Sequence, residues 1–202
     1  MGKLIVAEFM TLDGVAQSGG QPDEDRDGGF RHGGWHAPFR DPEAGNAMVE
    51  AAKSMDALLL GRRTYDVFAG FWPTASEEMP FTAVLNGVPK YVPSRTLTEP
   101  LAWQGSTLLA QPIDQSVAAL KERHDEVHVI GSLNLVQSLL RFGLVDRFDL
   151  WVDPLVLGTG KKVFGDGIPP TALRLIESTS YSNGMLHLAY ETAGEPTYGT
   201  IG

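Results

Sequence analysis

The chain predicts an α/β domain with a mainly parallel central sheet, helices on both faces and an antiparallel C-terminal edge. Three observations carry this reading. Strand-like and helix-like segments alternate as far as Gly143, the order that builds parallel sheets. Ala57-Leu58-Leu59-Leu60 is short and wholly apolar, as a strand covered on both faces must be. Beyond Asp146 the pattern is all strand, and Ser182-Asn183-Gly184 separates the last two segments as a hairpin turn would. With 202 residues, 43% hydrophobic and 20% charged, one domain over 1–202 is expected.

Residues 3–10 form the first strand, and Thr11-Leu12-Asp13-Gly14 supplies a sharp turn after it. The glycine-rich stretch 18–41, acidic at Asp23, Glu24, Asp25 and Asp27, fits neither periodicity and reads as a long loop. Asp41-Pro42-Glu43 combines an N-cap, an N1 proline and a first-turn acid, opening a helix with Met48, Ala51, Ala52 and Met55 on one face that ends near Ser54. Strand 57–60 meets Gly61, and a helix from Arg62 to Ala69 closes at Gly70. Lys90 to Ser94 is a strand in which Pro93 permits only an end or edge position, and Leu108-Leu109 marks another. Ile113, Val117 and Leu120 share a face of a helix from Pro112 to Arg123, followed by a strand from Glu126 to Ile130. Leu133, Val136, Leu139 and Leu140 give the next helix its apolar face, and Gly143 stops it. Strands follow over 147–156, 172–181 and 185–192, and the tail 194–202 is expected to fray.

Cysteine is absent, which excludes disulfides, thiolate nucleophiles and thiolate metal sites. A net charge of −9 argues against a nucleic-acid surface. No run approaches the roughly 18 apolar residues of a membrane span, so a cytoplasmic protein without membrane contact is expected.

Gly61-Arg62-Arg63-Thr64-Tyr65 brings a glycine, two cations and a hydroxyl to a strand-to-helix junction, where unpaired N–H groups and the positive helix end favour an anion. Ser94-Arg95 follows a second strand and Gly131-Ser132 a third, the side of an open sheet on which ligands bind. Trp35, Phe39 and Trp72 could wall a planar substrate. His32 and His36 lack a third defined donor, so no metal is expected. Gly158-Thr159-Gly160-Lys161-Lys162 fails as a phosphate loop, with Leu155 at the first glycine position and Lys162 at the hydroxyl position.

Thr11-Leu12-Asp13-Gly14, Leu60 to Tyr65, Lys90 to Leu97, Val129-Ile130-Gly131-Ser132, Gly143 to Asp146 and Pro154 to Gly160 with Val163-Phe164 form an ordered set spanning nearly the whole chain. That set resembles the dihydrofolate reductase superfamily, and within it the reductase domains similar to the C-terminal half of the bifunctional riboflavin-biosynthesis deaminase-reductase. The resemblance implies a dihydrofolate-reductase-like fold and NADPH, with Gly61, Arg62, Arg63 and Thr64 at its phosphates and Arg62 on the 2′-phosphate. Ser94 and Arg95 would lie beside the adenosine. Ile130, Gly131, Ser132, Leu133, Asn134 and Leu135 would lie against the pyrophosphate and nicotinamide. It also implies Asp13 as the acid nearest hydride transfer, and a homodimer formed through the C-terminal strands.

Three positions depart from the pattern. Ser132 replaces the second of two glycines, Gly45 stands where a pterin-binding acid is expected, and Ile130 stands where riboflavin-pathway reductases carry a glutamate. The implied function is hydride transfer from NADPH to a small pterin-like or ribosylamino-pyrimidine-like heterocycle. The alternatives are the riboflavin-pathway (phosphoribosylamino)uracil reductase itself and a nucleotide-binding protein without turnover.

Overall fold

The computed structural model describes residues 1–201. In chain order its elements are β1 (Lys3–Thr11), α1 (Pro42–Ala52), β2 (Ala57–Leu59), α2 (Arg62–Ala69), α3 (Pro80–Gly87), β3 (Lys90–Pro93), β4 (Ser106–Leu109), α4 (Ile113–Arg123), β5 (Glu126–Ile130), α5 (Leu133–Arg141), β6 (Arg147–Asp153), β7 (Leu173–Ser180) and β8 (Leu186–Thr192). The strands make one sheet in the order β4-β3-β2-β5-β1-β6-β8-β7. Pairing is parallel from β4 through to β6, and antiparallel at β6–β8 and β8–β7. This is the expected architecture, with the antiparallel strands confined to the C-terminal edge.

Alternation along β1 divides the core between the two faces of the sheet. Leu4 and Val6 join Val127, Val129, Phe148 and Leu150 beneath α4 and α5, whose Val117, Leu120, Val136 and Leu139 are fully buried. On the opposite face, Leu58, Leu60 and Val92 pack against Tyr65 of α2, Leu85 of α3 and Trp103. Ala44 of α1 meets Trp151, Tyr181 and Met185 there as well.

Several boundaries differ from the sequence reading for local reasons. The helix α1 starts as expected, with Asp41 accepting from the N–H groups of Glu43 and Ala44, but it stops at Ala52. Met55 therefore leaves the helix and is buried with Leu58 and Leu60. β6 ends at Asp153 rather than Val156 because Pro154 follows, and proline cannot donate to the ladder. Pro93 ends a strand that is paired on both sides. α3 has no counterpart in the sequence reading. It opens on Pro80 without a side-chain cap and buries only Thr82 and Leu85, too few positions for a visible 3.6-residue period. Within 18–41 the chain makes two 3-10 turns, Asp27–Gly29 and Ala37–Phe39. From Gly194 to Ile201 it carries no helix or strand.

Lys90, at the start of β3, is buried with its ammonium donating to the carbonyls of Asn86 (3.0 Å) and Gln104 (3.2 Å), 4.5 Å above the Trp103 ring. Burial pushes its pKa down to about 8 from an ordinary 10.5. Between those values the unfolded chain holds a proton that the folded protein has shed, so stability rises with pH across that window. Urea unfolding at pH values spanning it should show the rise, and Lys90→Met should flatten it.

Candidate active site

At the carboxyl ends of β2 and β5 two turns interlock. Gly61 precedes α2 and donates its N–H to Ser132 Oγ at 2.8 Å. Gly131 and Ser132 precede α5, and both have left-handed backbones, φ 64 and 68. Such a conformation is natural for glycine and strained for serine; the hydrogen bond to Gly61 offsets part of that strain. The packing is close in both directions. A Cβ on Gly131 would stand 3.2 Å from Thr64 Cγ2, and one on Gly61 would stand 3.3 Å from the Ser132 side chain.

Arg62, Arg63 and Gly131 through Leu135 line one pocket of about 290 Å³ beside these turns, closed on the loop side by Gln17, Ser18, Glu24, Asp25 and Lys161. Its cations already have carboxylate partners. Arg62 reaches Asp66 at 2.8 Å, Arg63 bonds Asp27, and Lys161 bonds Asp25 at 2.5 Å and Asp27 at 2.9 Å. Lys161 first, then Arg63, holds the Asp27 carboxyl below its ordinary range. Ser94 and Arg95 do not line this pocket. The Ser94 hydroxyl accepts from the N–H groups of Thr96 and Leu97, capping its own turn, and Arg95 is exposed.

A second cavity, of about 240 Å³, lies on the α1–α3 face of the sheet. Phe9, Met48, Phe68, Trp72, Phe81 and Trp151 supply its walls, Ile130 lines it from the end of β5, and Glu8, His128 and Asp149 are the buried polar residues in its lining. It shares Phe9, Met48, Trp72 and Phe81 with a wider chamber of about 620 Å³ that runs out along α1 past Gly45, Asn46, Arg40 and His36. Trp72 is thus placed at the cavity. Trp35 is not: it is buried under Gly19 in the 18–41 loop, its indole donating to the Gln17 carbonyl at 2.8 Å and its ring packed with Val15 and Phe30.

The register explains the polar groups. Ala7 pairs with Ile130 and with Asp149, and Ile5 with His128 and Arg147, so these side chains share one face. Arg147 donates from Nε (3.1 Å) and one terminal nitrogen (2.8 Å) to Asp149 Oδ1, with His187 Nε2 3.6 Å from the same oxygen. Burial alone would raise the Asp149 pKa, but His187 and Arg147 outweigh it and hold the carboxyl ionised. Burial lowers the His128 pKa against the pull of Glu126, which keeps the imidazole neutral. Glu8 also borders the cavity, although alternation along β1 turns its side chain toward the opposite face; it is buried with Oε1 unpartnered, and that burial pushes its carboxyl well above the ordinary range.

At the mouth, His36 Nδ1 bonds the fully buried Asp153 at 2.8 Å, and the His36 ring lies 4.1 Å from that of Phe9. Asp13 lines neither cavity. Its carboxylate accepts from the Thr11 hydroxyl (2.6 Å) and from the N–H groups of Leu157 and Gly158, tying the first turn to the loop after β6. Among the described residues no three carboxylate or imidazole side chains converge as metal donors, and no helix is long and apolar enough to cross a membrane.

Sequence reasoning missed Asp149, Asp153, His128 and His187. The available signal was the alternation Arg147-Phe-Asp-Leu-Trp-Val-Asp153 inside an otherwise apolar strand, which places charges on a face that the fold buries.

Known proteins resemble this chain over most of its length. The family model described as RibD C-terminal domain matches residues 2–187. The Bacillus subtilis (strain 168) protein YyaP is 27% identical over 158 residues, 76% of this chain and 82% of YyaP. Among solved structures, a putative riboflavin biosynthesis protein from Shewanella sp. PV-4 superposes with a TM-score of 0.70 at 21% identity, covering 95% of this chain and 99% of that one. A pyrimidine reductase-like protein from Corynebacterium diphtheriae gives a TM-score of 0.67 at 15% identity, covering 96% and 93%. At these identities the structural likeness establishes the fold.

Proposed function

Because the chain belongs to the RibD C-terminal domain family, we propose that it is a cytoplasmic, NADPH-dependent reductase that passes a hydride to a small heterocycle. The observation that carries this reading is the junction of the two cavities: Ile130 lines the apolar one and the next residue, Gly131, lines the pocket beside the phosphate turns. A cofactor laid along the Gly131–Leu135 turn would reach the apolar cavity at that junction.

The residues present fit such a cofactor. Left-handed backbone at Gly131 and Ser132 opens N–H groups at the start of α5, the usual seat of a pyrophosphate. Arg62, Arg63 and Lys161 supply charge once phosphate displaces Asp66, Asp25 and Asp27 from them. When bound, NADPH supplies the hydride. The chain does the rest: the aromatic walls exclude water, Ile130 keeps the junction apolar, and His36, anchored through Nδ1 by Asp153, places an imidazole at the mouth.

NADPH titration followed by its fluorescence tests the reading. Arg62→Ala should weaken NADPH about tenfold and erase the preference over NADH. Failure of NADPH to bind at micromolar concentration, with Arg62→Ala matching the parent, would refute it.

A riboflavin-pathway pyrimidine reductase is the second reading, favoured by the family description and by the name of the Shewanella structure. We also expect a homodimer through the C-terminal edge, where β7 exposes Leu173, Leu175 and Ile176 and offers an unpaired strand.

A further inference from the structure

We infer that the inner cavity selects an uncharged, planar heterocycle without a phosphate, anchored by donation of a ring N–H to Asp149. The inference deepens the reductase reading, since it concerns the substrate of the same site.

The shape comes from the walls. Phe9, Phe68, Trp72, Phe81 and Trp151 enclose the space, and rings of this kind hold a flat partner by stacking or edge contacts. The anchor comes from the sheet. Both Arg147 bonds, and the approach of His187, fall on Asp149 Oδ1, while Oδ2 takes no hydrogen bond from the described residues. An ionised carboxylate only accepts, so its partner must donate. Neutral His128 is the other polar side chain on this face of the cavity.

The charge requirement follows from what surrounds Asp149. Arg147 already neutralises it, so a cationic occupant would have no unpaired anion to meet, and burying an unpaired charge is costly. Glu8, the other acid bordering the cavity, is pushed by burial toward its neutral form, Ile130 presents no acid from the end of β5, and Gly45 lines only the outer chamber.

A phosphate fares no better. Among the described residues lining the inner cavity there is no lysine or arginine. Arg40 in the outer chamber stands beside Asp41 and the start of α1. That helix end is taken, because Asp41 Oδ1 already accepts from Glu43 N at 2.8 Å and Ala44 N at 3.0 Å, and Glu43 adds a second carboxylate in the first turn. An anion there would meet like charge.

Calorimetric titration of the full chain with three probes tests this: quinazoline-2,4-dione, its 1,3-dimethyl derivative and uridine monophosphate. The dione should bind, and the dimethyl compound, which keeps the ring but lacks both N–H groups, should bind at least about tenfold more weakly. Asp149→Asn should shrink that difference, and uridine monophosphate should bind more weakly than the dione. The inference is overturned if the parent fails to bind the dione, binds both diones alike, or prefers the phosphorylated compound. The comparison within the parent protein stands whether or not Asp149→Asn folds. NADPH titration of the same parent sample separates the two claims: discrimination between the diones without NADPH binding would sink the reductase reading and leave this one intact.

Discussion

Trp103→Ala should lower the unfolding free energy by about 4 kcal/mol, the cost typical of a buried aromatic truncated to alanine. Trp103 is 2% exposed, and it makes three contacts beyond its packing, two of them through its side chain. Its indole N–H donates to Asn86 Oδ1 at 2.7 Å, its backbone N–H donates to the Tyr65 hydroxyl at 3.0 Å, and its ring lies under the Lys90 ammonium. Truncation leaves the backbone bond in place but opens a cavity and strips the ammonium of its aromatic face. Trp103→Phe should recover about half of the loss, since it restores ring volume without the indole donor. Urea unfolding at neutral pH reads both, and a loss under about 1 kcal/mol for alanine would show that the neighbours collapse into the space. The effect should reach the substrate side, because Phe68 lines the apolar cavity and its ring centroid lies 6.5 Å from that of Trp103.

Gly131→Val should reduce NADPH affinity about a hundredfold, at a cost in stability of only about 2 kcal/mol. Two penalties coincide at this position. A β-branched residue resists φ 64, and its Cβ would press on Thr64 Cγ2 at 3.2 Å, driving the two phosphate turns apart. Gly131→Ala carries the same backbone strain with less bulk and should fall between. Fluorescence titration of NADPH, with circular dichroism to verify the fold, measures this. Parent-like affinity in the valine variant would move the phosphate site away from the turn.

How much of this was legible in the sequence depends on how local each signal is. The parallel core was readable because β2, β5 and their following helices each carry their pattern within a few consecutive residues, and a glycine at a strand-to-helix junction marks a backbone requirement directly. Gly131 was found that way, and Gly61, whose backbone is ordinary extended chain, stands out for its close approach to Ser132. The apolar cavity was not, because its walls come from β1, β5, β6, α1, α2 and α3, and no stretch of sequence shows that those surfaces meet. Trp35 and Trp72 look alike in sequence, yet only packing separates them: one indole finds the Gln17 carbonyl inside the loop and the other faces the cavity. Asp13, expected as the acid nearest hydride transfer, lines neither cavity and is held by three donors, which tie its turn to the loop after β6. Asp149 was hidden by the opposite problem. A carboxylate in a strand suggests a solvent face, and here the face is roofed by helices.

The loop over 18–41 is pinned at both ends of its path, to Lys161 and Arg63 through Asp25 and Asp27, and to Asp153 through His36. For protein engineering this separates two kinds of site within one surface segment. Gly28 and Gly29 have nothing within 4 Å of a would-be side chain, so an inserted tag or linker there has room to leave the surface. At Gly33 the Pro22 carbonyl lies 2.3 Å from where a Cβ would sit, and extra chain at that point would prise the His36 anchor from its aspartate.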